Sequence, residues 1–380
     1  MVSLFDGPYR KFLLPFTFTR PVAEIRIGMS TLREKWNHYL STSTFTDTED
    51  YLSEMYPGAA QKEHLRIHAA CLPNLLLVQA LQKLSSGQKL VKDNELIAYV
   101  GSNSFSQSDM GDFETVAFSA PLTIIRHPWD LFLNNAQALK DDFEIFTHNR
   151  TSSPISSSNR IVGDGKIFIE DGASVECAVL NTEDGPIYIG KNAKVMEGAL
   201  IRGSFALGEN SIVKMGAKIY GGTTIGPCCK VGGEINNSIV FGYSNKAHDG
   251  FIGNAVVGEW CNIGAATDAS HLINNYDEGR AWRYPSRRFI KTSLQFCGLL
   301  MADHSRCGIH TMFNTATVVG VSANIFGTGF PRTFIPSFSW GGSHGFSSYN
   351  FEKAIASIRA MKSRKSLTVD SKEEKMLRNV

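Results

Sequence analysis

Branched aliphatic residues return every six positions through the middle of the chain: Ile189, Val195, Ile201, Leu207, Val213, Ile219, Ile225 and Val231. A helix repeats its buried face every 3.6 residues and a strand every two, so neither accounts for a period of six. Short strands joined by tight corners do. Each hexad supplies one flat side of a coil, turns its aliphatic residue inward, and leaves small neighbours such as Ala193, Ala199 and Ala217 at the bend. Gly190, Gly208, Gly226 and Gly232 follow inward positions directly, where the backbone needs room or a positive φ. Stacked coils bury one continuous core.

The period extends both ways. Upstream, Ile161, Ile167, Ala173 and Val179 keep the spacing, with an insertion at 181–186, so the coil is expected to begin near Ile161. Downstream, Ile252, Val257 and Ile263 each precede glycine, and Met301, Cys307, Phe313, Val319 and Ile325 continue the series, with Cys307 read as a small core residue. Residues 266–292 (ATDASHLINNYDEGRAWRYPSRRFIKT) break the period and are polar and basic. They are expected to form a loop thrown out of the coil, where binding usually resides on a rigid scaffold. Before the repeat, residues 1–150 alternate helix-like and strand-like segments, closed by a Ser-rich linker at 151–160. After it, 346–380 read as a helical tail with Phe351, Ile355, Ile358 and Met361 on one face, then a short charged helix. The expected order is thus an α/β domain (1–150), linker, β-helix (161–345) and C-terminal helices.

Composition narrows the function. The 380 residues are 43% hydrophobic and 19% charged, with a net charge of +2, an ordinary globular balance with no nucleic-acid-binding surplus. Seven scattered cysteines, odd in number and without a CxxC pair, argue against a zinc site or a disulfide framework and fit a reducing cytoplasm. Nothing in the sequence reads as a signal peptide or a membrane span. His304 and His310, with His271, raise the alternative of a β-helix metal site like that of γ-class carbonic anhydrases, which needs three converging imidazoles.

Specific motifs overlie the repeat. The stretch NKAHDGFIGNAVVGEWCNIGA, followed by NNYDEG, resembles the acetyltransferase half of the GlmU-type bifunctional family that makes UDP-N-acetylglucosamine. That family's pattern is K-A-x-H-x-x-Y-[IL]-G-D-A, then N-[IV]-G-A-G-T, then N-Y-D-G. The resemblance implies a left-handed parallel β-helix, a homotrimer with acetyl-CoA sites between β-helices, and His248 as the general base. Imidazole titrates near neutral pH and suits the removal of a proton from an amine attacking a thioester. It also implies that Asn262, Asn275 and Tyr276 contact sugar and acetyl group, that Arg202 holds the sugar phosphate, and that Arg288 and Lys291 form the basic stretch after the loop.

The chain departs from the pattern in four places. Phe251 replaces a tyrosine and Asn236 a lysine, although Glu234 is kept; Ala266 replaces a glycine, and DASHL is inserted. The first two remove a hydroxyl and a cation from the phosphate site, which opens the acceptor to other amino sugars or nucleotide sugars. At the N-terminus, LLPFTFTRPVAEIRIG resembles the first signature of sugar nucleotidyltransferases. Only Gly7 stands for the family's Gly-rich turn and no lysine lies in RPVAE, which leaves Arg20 and Arg26 as candidates for nucleotide phosphate, with Mg2+ implied if this domain works. Together with LQFCGLLMADHSRCGIHTMFNT and FPRTFIPSFSWGG, these stretches resemble a compact bacterial branch of that bifunctional family. The implied activity is acetyl transfer to an amino-sugar 1-phosphate or nucleotide sugar. Nucleotidyl transfer by the first domain, or sugar-nucleotide binding without turnover, are the alternatives.

Overall fold

The computed structural model describes residues 1–59, 63–102 and 112–380. It divides into two compact units: Met1–Ile25, Ser30–His127 and Asp370–Val380 form the first, and Arg26–Met29 with Pro128–Val369 the second.

The first unit is built on a mixed six-stranded sheet. Its strands are β1 (Val2–Phe5), β2 (Phe45–Asp47), β3 (His64–His68), β4 (Gln88–Lys92), β5 (Glu95–Gly101) and β6 (Glu114–Ala117), in the order β2-β1-β3-β5-β4-β6. β1 is parallel to β2 and β3, whereas β5 runs antiparallel to both β3 and β4. The β4–β5 hairpin turns through Asp93 and Asn94, both at positive φ, a pair that matches the strand twist and that Asp and Asn tolerate. Helix α1 (Leu32–Leu40) starts at a reciprocal capping box between Thr31 and Glu34, which satisfies two of the first-turn amides, and buries Leu32 and Trp36. The Trp36 indole donates to the Cys71 carbonyl at 3.1 Å. Helices α2 (Asp50–Ser53) and α3 (Leu75–Leu81) complete the alternation expected for this region.

In the second unit the hexads become a parallel β-solenoid of three sheets with nine, ten and eight strands among the described residues. Successive inward residues belong to successive sheets. One column runs Ile189, Leu207, Ile225; the second Val195, Val213, Val231; the third Ile201, Ile219, Ile235. All nine are buried in one cluster with Val257, Met301, Cys307, Val319 and Ile325. A strand at Arg160–Val162 pairs with Val179–Asn181 in the third sheet, with Ile161 exposed. The upstream register differs from the expected one: the core residues are Ile169, Val175 and Leu180, while Ile167 and Ala173 only pack against the core. Apolar residues lie on both sides of the correct positions there, and strand pairing with Ile189, Val195 and Ile201 decides between them.

The glycines divide by role. At Gly226 a Cβ would lie 1.6 Å from the Phe241 carbonyl oxygen of the next coil, so this position needs room. Positive φ falls instead on corner residues, among them Asn192, Asn210, Cys228, Tyr243, Trp260 and His304. The Ser-rich stretch is not a loose connection. Ser156 and Ser158 donate to Glu176, Ser153 N to Ile169 O and Asn159 to Val175 O, so it forms an ordered lead-in to the first coil.

Helix α4 (Pro128–Thr147) belongs to this unit, although its residues read as part of the first domain. Its apolar face packs on the sheet that contains Thr223–Ile225 and Val256–Glu259. Fully buried Asn135 pins it: the side chain accepts from Gly28 N at 2.7 Å and donates to Gly222 O at 2.7 Å and Thr224 Oγ1 at 3.0 Å. The polar excursion forms a hairpin, Arg280–Arg283 with Arg288–Lys291, whose Trp282 stacks on Phe334 at 4.2 Å. Helix α5 (Phe351–Ser363) lies along the coil with Ala354, Ile355 and Ile358 buried. Helix α6 (Ser371–Arg378) belongs to the first unit, where Met376 and Leu377 are buried and Lys375 pairs with Glu54.

Candidate functional site

On the second sheet, the outward residue just before each inward one also forms a column. Lys230, Asn245, Asn262 and Arg306 stand in register on four successive coils. The Asn245 amide donates to Asn262 Oδ1 at 2.9 Å. At the corner preceding this column, Tyr243 and Trp260 stack with ring centroids 4.3 Å apart. Both occupy the left-handed region, at φ 53° and 60°, in corners where other coils use Asn192 and Asn210. Aromatic residues held there carry backbone strain of order 1–3 kcal/mol each, a feature that concentrates at ligand sites.

Helix α5 closes this strip into a cavity of about 760 Å³ lined by Lys214, Lys230, Tyr243, His248, Trp260, Asn262, Arg306, Arg364 and Lys365, among others. Five of the lining residues are Lys or Arg and none is Asp or Glu. Arg306 Nη2 donates to the Ser357 carbonyl of α5 at 3.1 Å, and burial holds its pKa below the usual arginine range. The Lys362 ammonium sits 5.6 Å from the Trp260 ring centroid. His248 is exposed in the corner after the second sheet. Beside it Lys246 is 4% exposed and occupies an inward, core position of the coil. Its ammonium donates to Gly232 O at 3.0 Å and His248 O at 2.9 Å, and burial pulls its pKa down to about 8.

Within one chain the cavity unites His248 and Asn262, but not the other sequence-derived candidates. Arg202 is on the third sheet, exposed and paired with Asp184 at 2.8 Å. Asn275 caps its own turn by accepting from Asp277 N, and Tyr276 is 68% exposed. Arg288 is exposed on the hairpin, where Lys291 lies 3.8 Å from Glu278. Phe251, at the family's tyrosine position, meets the His271 ring edge-on at 5.0 Å, and Asn236 pairs in register with Gly253. Ala266 takes the turn at φ 54° without glycine's freedom. His304 and His310 both occupy left-handed corners, and among the described residues no three His, Cys, Asp or Glu side chains converge as metal ligands.

The first unit has its own cavity of about 650 Å³, past the carboxyl ends of parallel strands β1 and β2. Asp6, Gly7, Arg10, Lys11, Asp47, Thr48, Glu49 and Asp50 are among its lining residues. Neither Arg20, which is 5% exposed, nor Arg26, which belongs to the other unit and donates to Met29 O, lines it. Arg10 is the guanidinium there: it donates to Thr17 O and Tyr51 OH and pairs with Asp6 at 3.1 Å. Asp6 also accepts from Val22 N at 2.7 Å and Thr48 Oγ1 at 2.5 Å, and burial raises its pKa to about 6. The signal for Arg10 was its place three residues after Gly7. For Lys246, Tyr243 and Trp260 it was an unexpected residue type at a core or corner position.

Residues 2–151 match the family model for sugar nucleotidyl transferases. Across 99 residues, 24% of the chain, the sequence is 36% identical to the bifunctional protein GlmU of Wolbachia pipientis wMel. The chain is thus similar to sugar nucleotidyl transferases over residues 2–151 and to GlmU over 99 residues. It spans 22% of the length of that GlmU-like relative in the match. Among solved structures, the polySia-specific acetyltransferase NeuO aligns over 56% of this chain and 99% of its own, at 15% identity and a TM-score of 0.29. AntD, an N-acyltransferase from Bacillus cereus crystallised as a point mutant with dTDP and coenzyme A, aligns over 56% of this chain and 100% of its own, at 14% identity and a TM-score of 0.24. No helix among the described residues is long and apolar enough to cross a membrane.

Proposed function

We propose that the β-helix unit transfers an acetyl group from acetyl-CoA to the amine of an amino-sugar 1-phosphate or a related nucleotide sugar, with His248 as general base. The observation that carries the reading is the cavity under α5: His248 and Asn262 share it with five cations and no carboxylate. An elongated polyanion carrying an aromatic base is the ligand class such a lining favours, and the phosphates and adenine of coenzyme A fit that description. The amine attacks the thioester carbonyl, its proton passes to the His248 imidazole, the C–S bond breaks, and the imidazolium gives that proton to the departing sulfur, which leaves an amide and the thiol of CoA. General-base help of this kind is worth about 10²- to 10⁴-fold. The sugar side draws on Asn275, Tyr276, Arg202, Arg288 and Lys291, which lie apart from His248 in one chain. A homotrimer in the cytoplasm, whose neighbouring copies complete the site, accords with the family resemblance.

The test is release of free thiol from acetyl-CoA against amino sugars, their 1-phosphates and UDP derivatives, with His248→Ala alongside. Thiol release that depends on His248 and on one acceptor supports the reading. Release that is unchanged by His248→Ala removes the base assignment.

A second reading is nucleotidyl transfer by the first unit, favoured by the family match over residues 2–151 and the cavity beyond β1 and β2. Its Mg2+ finds little there: Asp6 is held by Val22, Thr48 and Arg10, Asp47 is paired with Arg66, and among the described residues no cluster of three ligands forms. Pyrophosphate release from a nucleoside triphosphate and a sugar 1-phosphate would establish the activity; its absence with all common nucleotides would leave a sugar-nucleotide-binding unit.

A further inference from the structure

The inward column of the second sheet reads Val175, Val195, Val213, Val231, Lys246, Ile263, Cys307 and Ile325. Folding alone calls for an aliphatic residue at every one of these positions, and a lysine between Val231 and Ile263 brings an ammonium group into the core. Such a group persists where its hydrogen bonds do something an apolar side chain cannot.

Those bonds define the role. The carbonyls of Lys246, Asp249 and Gly250 accept from the backbone amides of Gly232, Ala266 and Glu234, the ordinary stacking of coil on coil. The carbonyl of His248 instead accepts from Lys246 Nζ, at 2.9 Å. A second proton of the same ammonium goes to Gly232 O, in the equivalent corner of the preceding coil, at 3.0 Å. The side chain therefore ties two successive corners together from within, one of them the corner that carries the exposed imidazole. Asp249 and Asp268 are the charged neighbours, and Asp268 Oδ1 fastens the far end of the corner by accepting from Phe251 N at 2.7 Å.

We infer that Lys246 is a positioning residue: its ammonium fixes the backbone of the His248 corner from inside the coil, so that the imidazole is presented to the cavity in one place. The inference rests on the proposed role of His248 for its catalytic meaning, but not for its structural content.

The test compares wild type, Lys246→Met, His248→Ala and the double variant by amide hydrogen exchange and by acetyl-transfer kinetics. Methionine fits an inward position and lacks the donor. Exchange at the amides of Ala266 and Glu234, which donate to the Asp249 and Gly250 carbonyls of this corner, is expected to rise about tenfold or more in Lys246→Met, while coils further along keep their protection. Turnover is expected to fall about tenfold or more at a KM for acetyl-CoA changed less than about threefold, as misplacement of a catalytic group does. Added to His248→Ala, the lysine change is expected to cost nothing further. Unchanged exchange at Ala266 and Glu234 overturns the inference whatever the activity. Full activity in His248→Ala overturns the base assignment instead, and leaves the exchange result to decide the role of Lys246. If the methionine variant does not fold, Lys246→Leu and Lys246→Gln, one without and one with an N–H donor, give the same comparison.

Discussion

The ammonium of Lys246 makes stability depend on pH in a window set by two numbers. Its pKa is about 8 in the folded chain against an ordinary 10.5, with burial the leading cause. Below pH 8 both states carry the proton and the cost of burying the charge is constant. Between the two values the unfolded state binds the proton and the folded state has lost it, so stability rises with pH. Above 10.5 neither state is charged and the dependence ends. A drop from 10.5 to about 8 corresponds to about 3 kcal/mol per chain. Lys246→Met abolishes the titration, and every other group cancels when the two proteins are compared at the same pH. Urea unfolding followed by circular dichroism, in steps from about pH 7 to about pH 10.5, is expected to show wild type gaining about 3 kcal/mol on the variant across that window. Parallel curves would refute the reasoning, because Lys246 would then have its ordinary affinity for a proton. A loss with rising pH would refute it more sharply: Asp249 and Asp268 would outweigh burial.

Three further outcomes follow from the geometry. Tyr243→Ala is expected to raise KM for acetyl-CoA about tenfold with turnover little changed, as loss of one aromatic contact to the donor does, measured by initial rates of thiol release; an unchanged KM places the donor elsewhere. Gly226→Ala puts a Cβ against the Phe241 carbonyl and is expected to lower stability by about 1–3 kcal/mol, seen as a fall in Tm. Asn135→Leu leaves the Gly28 amide and the Gly222 carbonyl buried without this partner and is expected to cost about 1–3 kcal/mol for each group, measured by denaturant unfolding.

The coil was legible in the sequence because its period is steric: a residue facing inward every sixth position leaves a signal that helices and plain strands do not. Where that signal thins, reading from the chain alone slips. Ile167 and Ile169, Ala173 and Val175, and Val179 and Leu180 offer two apolar registers, and only pairing with the next coil selects one. Lys246 was hidden for the opposite reason, since a polar residue type at a core position reads as surface until the carbonyls facing it are located. His248 and Asn262 were readable as a motif, and the coil does bring them into one cavity. The separation of Arg202, Asn275 and Tyr276 from that cavity depends on which sheet each occupies, and residue spacing through an irregular excursion does not encode it. Helix α5 was readable as amphipathic from Ile355 and Ile358, but its role as a cavity wall through Ala360, Met361 and Arg364 depends on where it docks.

The placement of α6 bears on how the molecule is made. Met376 and Leu377 are buried in the unit that Val2–Phe5 begins, and every residue of the β-helix lies between them in the chain. During synthesis the coils can therefore close one after another, each on its predecessor, while the earlier unit waits with an uncovered apolar patch for a segment not yet translated. A chaperone holding that patch, or a stop before residue 370, would part the two units in time: the later-made one finished, the first-made one still open.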